Sequence, residues 1–341
     1  MALHPSTTNA FELVDRTNDL ILLPQNPTLM NESGMWQHEY LSTSTVTFEE
    51  QNGSLFVVKD QVRGAKPQTT SGDVRKLHSY TITHHPFMDA LYPQDIVGVT
   101  RPGSLGTQLD TKDAALLRKM EKIRKSYDRT INLARFKTLA RGDLWSPNGT
   151  ISGNVYTDMG VARRSVSFAL ATPGTDILGK CEEIISGFQT AATAGQEINK
   201  VVAYCSPGFF TGLINHVKVQ SAYNLYAAVA PQQISRDRAG GLGLYRRFVF
   251  SNIEFIEVSQ SVDGAPLVPT NEAIFVAQDG DDSFVTYFGP AQRFGFVNTL
   301  ASEMYMWTYE DVRATEITIE SEMNMLNIIK RPSLVAGGTV A

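Results

Sequence analysis

The 341 residues, 42% hydrophobic and 19% charged, suffice for two compact units or one elaborated one with a sizeable buried core. A formal net charge of −5 and a sequence pI near 5.7 exclude a surface that is basic throughout, so any nucleic-acid contact has to be local. The two cysteines, Cys181 and Cys205, stand in no CxxC or metal-like spacing, no apolar run is long enough to span a bilayer, and MALHPSTTNAFELVD lacks the regions of a signal peptide. The expectation is a soluble chain in a reducing compartment, without disulfides, zinc or a membrane span.

Residues 1–40 alternate short apolar clusters, such as Leu20 to Leu23, with Pro24, Asn26, Pro27, Asn31 and Gly34, so no long element can persist. This is the pattern of an arm laid along something else. From Ser42 the character becomes β-type: STSTVTFEEQNG and SLFVVKDQVRG flank Asn52-Gly53, a strong hairpin signal. The polar tract GAKPQTTSGD leads to a return strand, KLHSYTITHHPF. Together they predict a long two-stranded excursion with too few apolar residues for a core of its own, which must lean on a neighbour.

Asp110 to Gly142 is the longest helical pattern in the chain. Leu116, Met120, Ile123, Tyr127, Ile131 and Ala134 recur at steps of three and four and stack as one stripe. Asp110 or Thr111 can cap the start, and Gly142 can supply a left-handed end. About thirty residues would span about 45 Å, a spine for a whole domain. Leu133, Phe136 and Leu139 lie off the stripe, which predicts packing on two sides near the end. The polar face carries Lys112, Arg118, Lys119, Lys122, Arg124, Lys125, Arg129, Arg135, Lys137 and Arg141 against Asp113, Glu121 and Asp128. Such a surplus suits phosphate neutralisation, a seam with an acidic neighbour, or plain solvation.

Beyond the spine, LWSPNGTISGN turns the chain, and RRSVSFALATPG is a strand with Val166, Phe168 and Leu170 on one face. A helix starting at Thr175 or Asp176 buries Ile177, Cys181, Ile184, Ile185 and Phe188. There follow a buried strand VVAYCS, a helix over residues 207–228 opened by Pro207, a Gly-rich loop DRAGGLGLYRR, and strands over residues 248–261 and 272–279. The closing region, to Leu334, is rich in β-formers and predicts a strand pair returning to the first half of the chain. Residues from about 180 to 295 then form an insertion within a discontinuous domain.

Candidate chemistry is sparse. His84, His85 and Asp89 suggest a metal-dependent hydrolase, but adjacent histidines on a strand point to opposite faces. Asp279, Asp281 and Asp282 lack calcium-loop alternation and predict a polar hairpin turn. Gly240, Gly241 and Gly243 lack the context of a phosphate cradle. In YCSPG, Pro207 removes the N–H that an oxyanion hole after Ser206 would use. The six histidines fall in no triad order. No catalytic, cofactor-binding or metal residue is assigned.

Several segments match a known family in chain order: VTFEE (Val46 to Glu50), GSL (Gly53 to Leu55), RGA (Arg63 to Ala65), and SYTI from Ser79 with His84, His85 and Pro86. Further along come GTDILGKCE (Gly174 to Glu182), CSP from Cys205 through Phe210, HVK from His216, FVTYF (Phe284 to Phe288), VNTL (Val297 to Leu300), ESE (Glu320 to Glu322), and Arg331 with Pro332. In these the chain resembles the lambda E-type family of tailed-phage major capsid proteins. The N-terminal thirty residues and residues 231–243 match least.

The resemblance implies an α+β chain of the Hong Kong 97 type: an N-terminal arm (1–40), an extended loop (41–85), a peripheral domain (86–179 and 296–341) with spine helix 110–142, and an axial domain (180–295). It also implies a non-enzymatic function. Copies would form pentamers and hexamers that close into an icosahedral head around packaged double-stranded DNA, assembled in the host bacterial cytoplasm. A separate scaffolding protein, a decoration protein and a portal protein are the expected partners, with DNA touched non-specifically and no membrane involved. Phe56, Val57 and Val58 are expected to anchor the extended loop on a neighbour, and Lys119, Lys122 and Arg129 to present the basic helix face. Some relatives weld subunits through a Lys–Asn isopeptide bond. Lys59 or Lys66 with Asn324 or Asn327, and Glu320 or Glu322 nearby, are residues of the right type, although the lambda-type family is not characterised by it. A non-viral shell of the same fold is the alternative within this class.

Overall fold

The computed structural model describes residues 14–23, 28–52, 74–97, 111–145, 151–192, 198–222, 245–262, 264–279, 283–311, 313 and 315–341. Strand β1 (Val14–Asp15), helices α1 (Thr17–Leu22) and α2 (Leu29–Glu32), and strand β2 (Gln37–Tyr40) precede a ribbon of β3 (Thr45–Asn52) and β4 (Val74–Thr81). Strand β5 (Thr83–Leu91) leads to the long helix α3 (Lys112–Arg141), the hairpin β6 (Asp143–Trp145) and β7 (Ile151–Asn154), and helix α4 (Val155–Met159). Next come β8 (Arg164–Ser167), α5 (Ile177–Ala191), β9 (Ile198–Cys205) and α6 (Pro207–Asn215). A further helical stretch, residues 217–222, follows, and the strands after it are β10 (Arg247–Phe250), β11 (Ile253–Glu257), the short pair β12 (Ser261–Val262) and β13 (Ala265–Pro266), β14 (Glu272–Asp279), β15 (Phe284–Phe288), β16 (Tyr305–Glu310), β17 (Ile317–Ile329) and β18 (Val335–Thr339).

Two six-stranded sheets organise these elements. In the first, β17 is central. Its first half pairs with β16 on one edge and β5 on the other, and Met325 pairs with both Phe288 and Thr83, which puts β15 on the β16 edge. β1 and β2 lie outside β16 and β15. The second sheet runs β10-β11-β9-β14-β18-β8. Strand alternation gives it two apolar faces. Ala203, Phe255 and Phe275 meet α5 and α6, whereas Tyr204, Ile274 and Val276 meet the end of α3.

Helix α3 forms where its periodicity predicts. The Thr111 hydroxyl accepts the Ala114 N–H, and Gly142 closes the helix at φ 76°. All six stripe residues are buried, in one cluster with Ile319, Met323 and Met325 of β17. Leu133, Phe136 and Leu139 enter a second cluster with Tyr204 and Ile274, so the last turns touch both sheets. Val166, Phe168 and Leu170 are also buried together, and α5 buries Ile177, Cys181, Ile184 and Phe188 after Asp176.

Other expectations need correction. The strand expected over 76–87 breaks at buried Ile82, whose N–H bonds Ser44 O, so β4 stays in the ribbon and β5 joins the first sheet. Along its described length β3 pairs with β4; the segment after Asn52, with Phe56, Val57 and Val58, lies outside the described residues. The helix expected over 207–228 is interrupted at His216, which turns extended and whose ring contacts Thr172 O and the Lys218 N–H; helix resumes over residues 217–222, and residues 223–228 lie outside the described residues. The single strand expected over 248–261 is a hairpin, turned by Ser251 and Asn252 at φ 48° and 58°. Residues 280–282, expected as a hairpin turn, lie outside the described residues; the flanking strands β14 and β15 belong to different sheets and do not pair with each other. Sheet membership does not follow order along the chain: β15 pairs in the first sheet, while β8 and β18 pair in the second. Residues 28–40, expected to lie on a neighbour, bury Leu29, Met30 and Trp36 in their own subunit.

Gly142 gives a direct test of the helix end. A Cβ there would collide with the Tyr156 ring, whereas at Gly160, with φ 65°, it would meet nothing within 4 Å. Gly160→Ala should cost only the left-handed backbone penalty of about 1–2 kcal/mol, and Gly142→Ala distinctly more, read by denaturant unfolding of the unassembled subunit. Equal losses would remove the ring contact as a constraint.

Candidate functional site

Arg124, Asp128, Asn132 and Arg135 recur along α3 at steps of four, four and three, a polar row beside the apolar stripe. The row is not solvated: all four are buried, Arg124 and Arg135 at 1% exposure. What covers it is the segment from Thr28 to Tyr40 together with Glu303. Arg135 donates from Nη1 to Asn31 Oδ1 at 2.7 Å, from Nη2 and Nε to Thr286 Oγ1 at 2.9 and 3.2 Å, and from Nη2 to His38 Nε2 at 2.8 Å. Its guanidinium also lies over Trp36, 5.4 Å from the ring centre. The Thr286 hydroxyl in turn donates to Asn327 Oδ1 at 2.8 Å.

The proton positions follow from what each group can do. Arginine only donates, so His38 Nε2 must accept, which leaves the His38 proton on Nδ1, 2.9 Å from Glu303 Oε1. Glu303 Oε2 takes Arg124 Nη2 at 3.3 Å, and Arg124 Nε stands 3.5 Å from Asp128. Burial pulls Arg135 down to about 9, with Glu303 and Asp128 holding it up, so it stays charged at neutral pH. Burial alone would raise the Glu303 carboxyl. The His38 hydrogen bond and the charges of Arg124 and Arg135 outweigh it and hold Glu303 below the usual carboxylate range. The cluster fastens the N-terminal segment to the spine helix and to β15.

The basic helix face shrinks accordingly. Besides the two buried arginines, Lys112 pairs with Glu310, Arg141 with Glu272, and Lys119 with Asp89 at 2.9 Å. Of the three cations expected to present that face, Lys122 and Arg129 are exposed, beside Lys125, while Lys119 is half-buried in its ion pair.

His84, His85 and Asp89 do not converge. His84 Nδ1 meets Asn324 Oδ1 at 2.7 Å, His85 Nε2 meets Thr83 Oγ1 at 2.9 Å, and Asp89 holds Lys119. Burial, then the neighbouring His84, pulls His85 down to about 4, so it is neutral. Among the described residues no three His, Cys, Asp or Glu side chains gather as a metal set. Ser206 is an N-cap, accepting the Phe209 N–H. Asn324 and Asn327 are buried with partners of their own, and Lys59 and Lys66 lie outside the described residues.

On the face of the first sheet away from α3, Phe296, Tyr305 and Trp307 form an aromatic ladder, with Arg293 over Trp307 at 4.0 Å and paired to Glu320. Beside it a cleft of about 400 Å³ is floored by Glu320 and Glu322 and walled by Pro86 and Met88. No residue array in the described chain is set up for covalent chemistry. The exposed features are suited to contact.

The family phage major capsid protein E matches residues 13–340. The chain belongs to that family. The capsid protein is 35% identical over 351 residues to the major capsid protein of Pseudomonas phage KPP10, covering 99% of each chain. It is 24% identical to that of Salmonella phage Felix O1, over 97% of this chain and 96% of the other. Among solved structures, a protein assigned as the capsid protein of an Escherichia coli CFT073 prophage superposes with a TM-score of 0.58 at 9% identity, over 97% and 100% of the two chains. The capsid of Myoviridae phage XM1 gives 0.51 at 9% identity, over 94% and 95%. These two share the fold, which is of the Hong Kong 97 type. The capsid protein is thus a structural subunit of an icosahedral phage shell and a component of the virion, and none of its helices among the described residues is long and apolar enough to cross a membrane.

For the capsid protein the buried row is the feature that sequence reasoning misplaced on the surface. Its helical spacing was visible; its cover, from residues 28–40 and 301–304, was not. Arg135→Ala should destabilise the subunit by roughly 3–5 kcal/mol, since removing one member leaves buried polar partners uncompensated. A lowered carboxyl contributes stability above the ordinary glutamate value of 4.5 and loses it as pH falls through the folded value. Thermal unfolding from pH 6 downward should therefore fall more steeply in the wild type than in Glu303→Gln; parallel curves would contradict this assignment.

Proposed function

We propose that this subunit assembles as pentamers and hexamers around packaged double-stranded DNA, with the β3–β4 ribbon of the extended loop, residues 41–85, reaching over a neighbouring subunit. The observation that carries the reading is the β3–β4 ribbon. It pairs with neither large sheet, it leaves Leu77 74% exposed, and it is tied to the body near its base through buried Val46 and Ile82 and through Tyr80, which donates to Asp158 at 3.0 Å. A ribbon without a core gains its missing burial from another chain. Phe56, Val57 and Val58 in the connecting segment supply the apolar contact. In domain terms, residues 1–40 are the arm and 41–85 the loop. The first sheet with α3 is the peripheral domain, and the second sheet with α5 and α6 the axial domain.

The net charge of −5 limits adhesion of the genome to the wall, leaving DNA contact non-specific and local. A scaffolding protein directs assembly in the host bacterial cytoplasm, a portal occupies one vertex, and a decoration protein binds outside. The exposed cations of α3 face either a neighbouring subunit or the lumen.

Phe56→Ala should lower shell yield and the melting temperature of assembled particles while leaving the unassembled subunit unchanged; unaltered particles would remove the anchor. Lys122→Glu with Arg129→Glu separates the two roles of the helix face, and Lys119 is left intact because reversing it would also break its pair with Asp89. Failed assembly identifies a subunit seam, intact shells that retain little DNA identify the lumen, and no change in either identifies a solvated face.

A further inference from the structure

Between β15 and β16 the chain makes a sixteen-residue excursion, 289–304, whose backbone is tied at several points. Gln292 N–H bonds Glu322 at 2.7 Å, Phe296 N–H bonds Arg293 O at 2.9 Å, Ala301 N–H bonds Leu41 O at 3.0 Å, and Ser302 N–H bonds the Tyr305 hydroxyl at 2.8 Å. The Phe296 ring packs edge-on to Tyr305 and Trp307. From this fixed base Phe294, Val297 and Leu300, spaced by three, project into solvent at 101%, 60% and 69% exposure. Three large apolar side chains on one tethered turn, the first wholly exposed, make a preformed apolar knob.

The same chain carries a matching hollow. At the far end of the β16–β17 pair, Leu91, Tyr92, Pro93, Ile96 and Ile317 line a cleft of about 180 Å³, bordered by the Lys112–Glu310 ion pair and by Glu316. An apolar cavity of about 150 Å³ admits benzene, so a single aromatic ring fits. The knob cannot fill the cleft of its own subunit. Phe296 stands over Tyr305 at one end of β16, the cleft lies at Glu310 at the other, and six strand residues at about 3.3 Å each separate them.

We propose that Phe294 of one subunit inserts into the cleft beside Ile96 of a second copy of this chain. Because knob and cleft are different patches, the contact is heterologous and can repeat around a ring, which a self-complementary patch cannot do beyond a dimer. The occupant is a second copy because the subunit belongs to a shell, and the Phe294 ring suits the apolar part of the hollow, Leu91, Pro93, Ile96 and Ile317, and its size. The proposal rests on assembly into rings as proposed above, and goes beyond it in naming the contact.

The test replaces Phe294 with its photoreactive benzoyl analogue, irradiates assembled particles, and maps the adduct by mass spectrometry. Adducts joining residue 294 to 91–96 or 317 of a different subunit are expected. Adducts elsewhere, adducts to residues 98–110 of the same chain, knob-to-knob adducts, or normal particles without any adduct would overturn the contact, the last leaving ring assembly itself intact. If the analogue blocks assembly, Phe294→Ala and Phe294→Leu decide. The alanine variant should weaken subunit association about tenfold or more with unchanged unfolding of the free subunit, and leucine should restore most of it. Wild-type association by the alanine variant would sink the proposal.

Discussion

A guanidinium taken out of water has to be met by acceptors on every side, and Arg135 meets that demand with groups from distant parts of the chain. Asn31 stands 104 residues away in sequence, His38 97 and Thr286 151. Through His38 the cluster extends to Glu303, and from there to Arg124 and Asp128. Burying these charges is a poor way to gain stability, since an apolar replacement of similar shape can be as stable. It is an effective way to fix position, because each donor accepts few geometries. The N-terminal segment, a one-turn helix α2 followed by the short strand β2, is held at one register by this cluster and by the insertion of Met30 and Trp36 into the core.

Helix α3 turns that local fixation into a property of the whole subunit. Its first two-thirds pack on the first sheet, and Leu133, Phe136 and Leu139 join a cluster that contains Phe284 and Ile329 of the first sheet and Tyr204, Ile274 and Val276 of the second. Interiors are packed too densely for these residues to slide. A shift of one sheet against the other therefore requires the end of α3 to repack, which makes this junction the stiff point of the molecule.

The parts of the fold that were legible in the sequence are those dictated by neighbours in sequence. A 3.6-residue stripe with Thr111 and Gly142 at its ends defines α3 almost to the residue, and alternation places Val166, Phe168 and Leu170 correctly. Strand partnership is a non-local choice, so the crossing from β14 to β15 looked like a hairpin, and nothing in their own residues says that β15 joins the first sheet and β18 the second. Even short-range signals failed where a side chain intervened, as when the His216 ring ends α6. For the candidate site, charge alone put Arg124 and Arg135 on the surface. Whether a polar row on a helix is wet depends on what lies over it, and Asn31, His38 and Glu303 carry no local sign of doing so. Arm, ribbon, spine helix and inserted section were each readable from the residues, and the family resemblance gave those four parts a common fold and function.

Strands β17 and β18 have a consequence for the timing of folding. β17 is the central strand of the first sheet, and β18 is an inner strand of the second, between β14 and β8. Until residues 317–339 have been synthesised, β5, β15 and β16 lack the strand that joins them, and β8 has no partner. Long-range pairing of this kind makes for slow, late folding. A nascent chain accordingly cannot display finished assembly surfaces, and shell growth draws only on subunits whose synthesis has passed both strands.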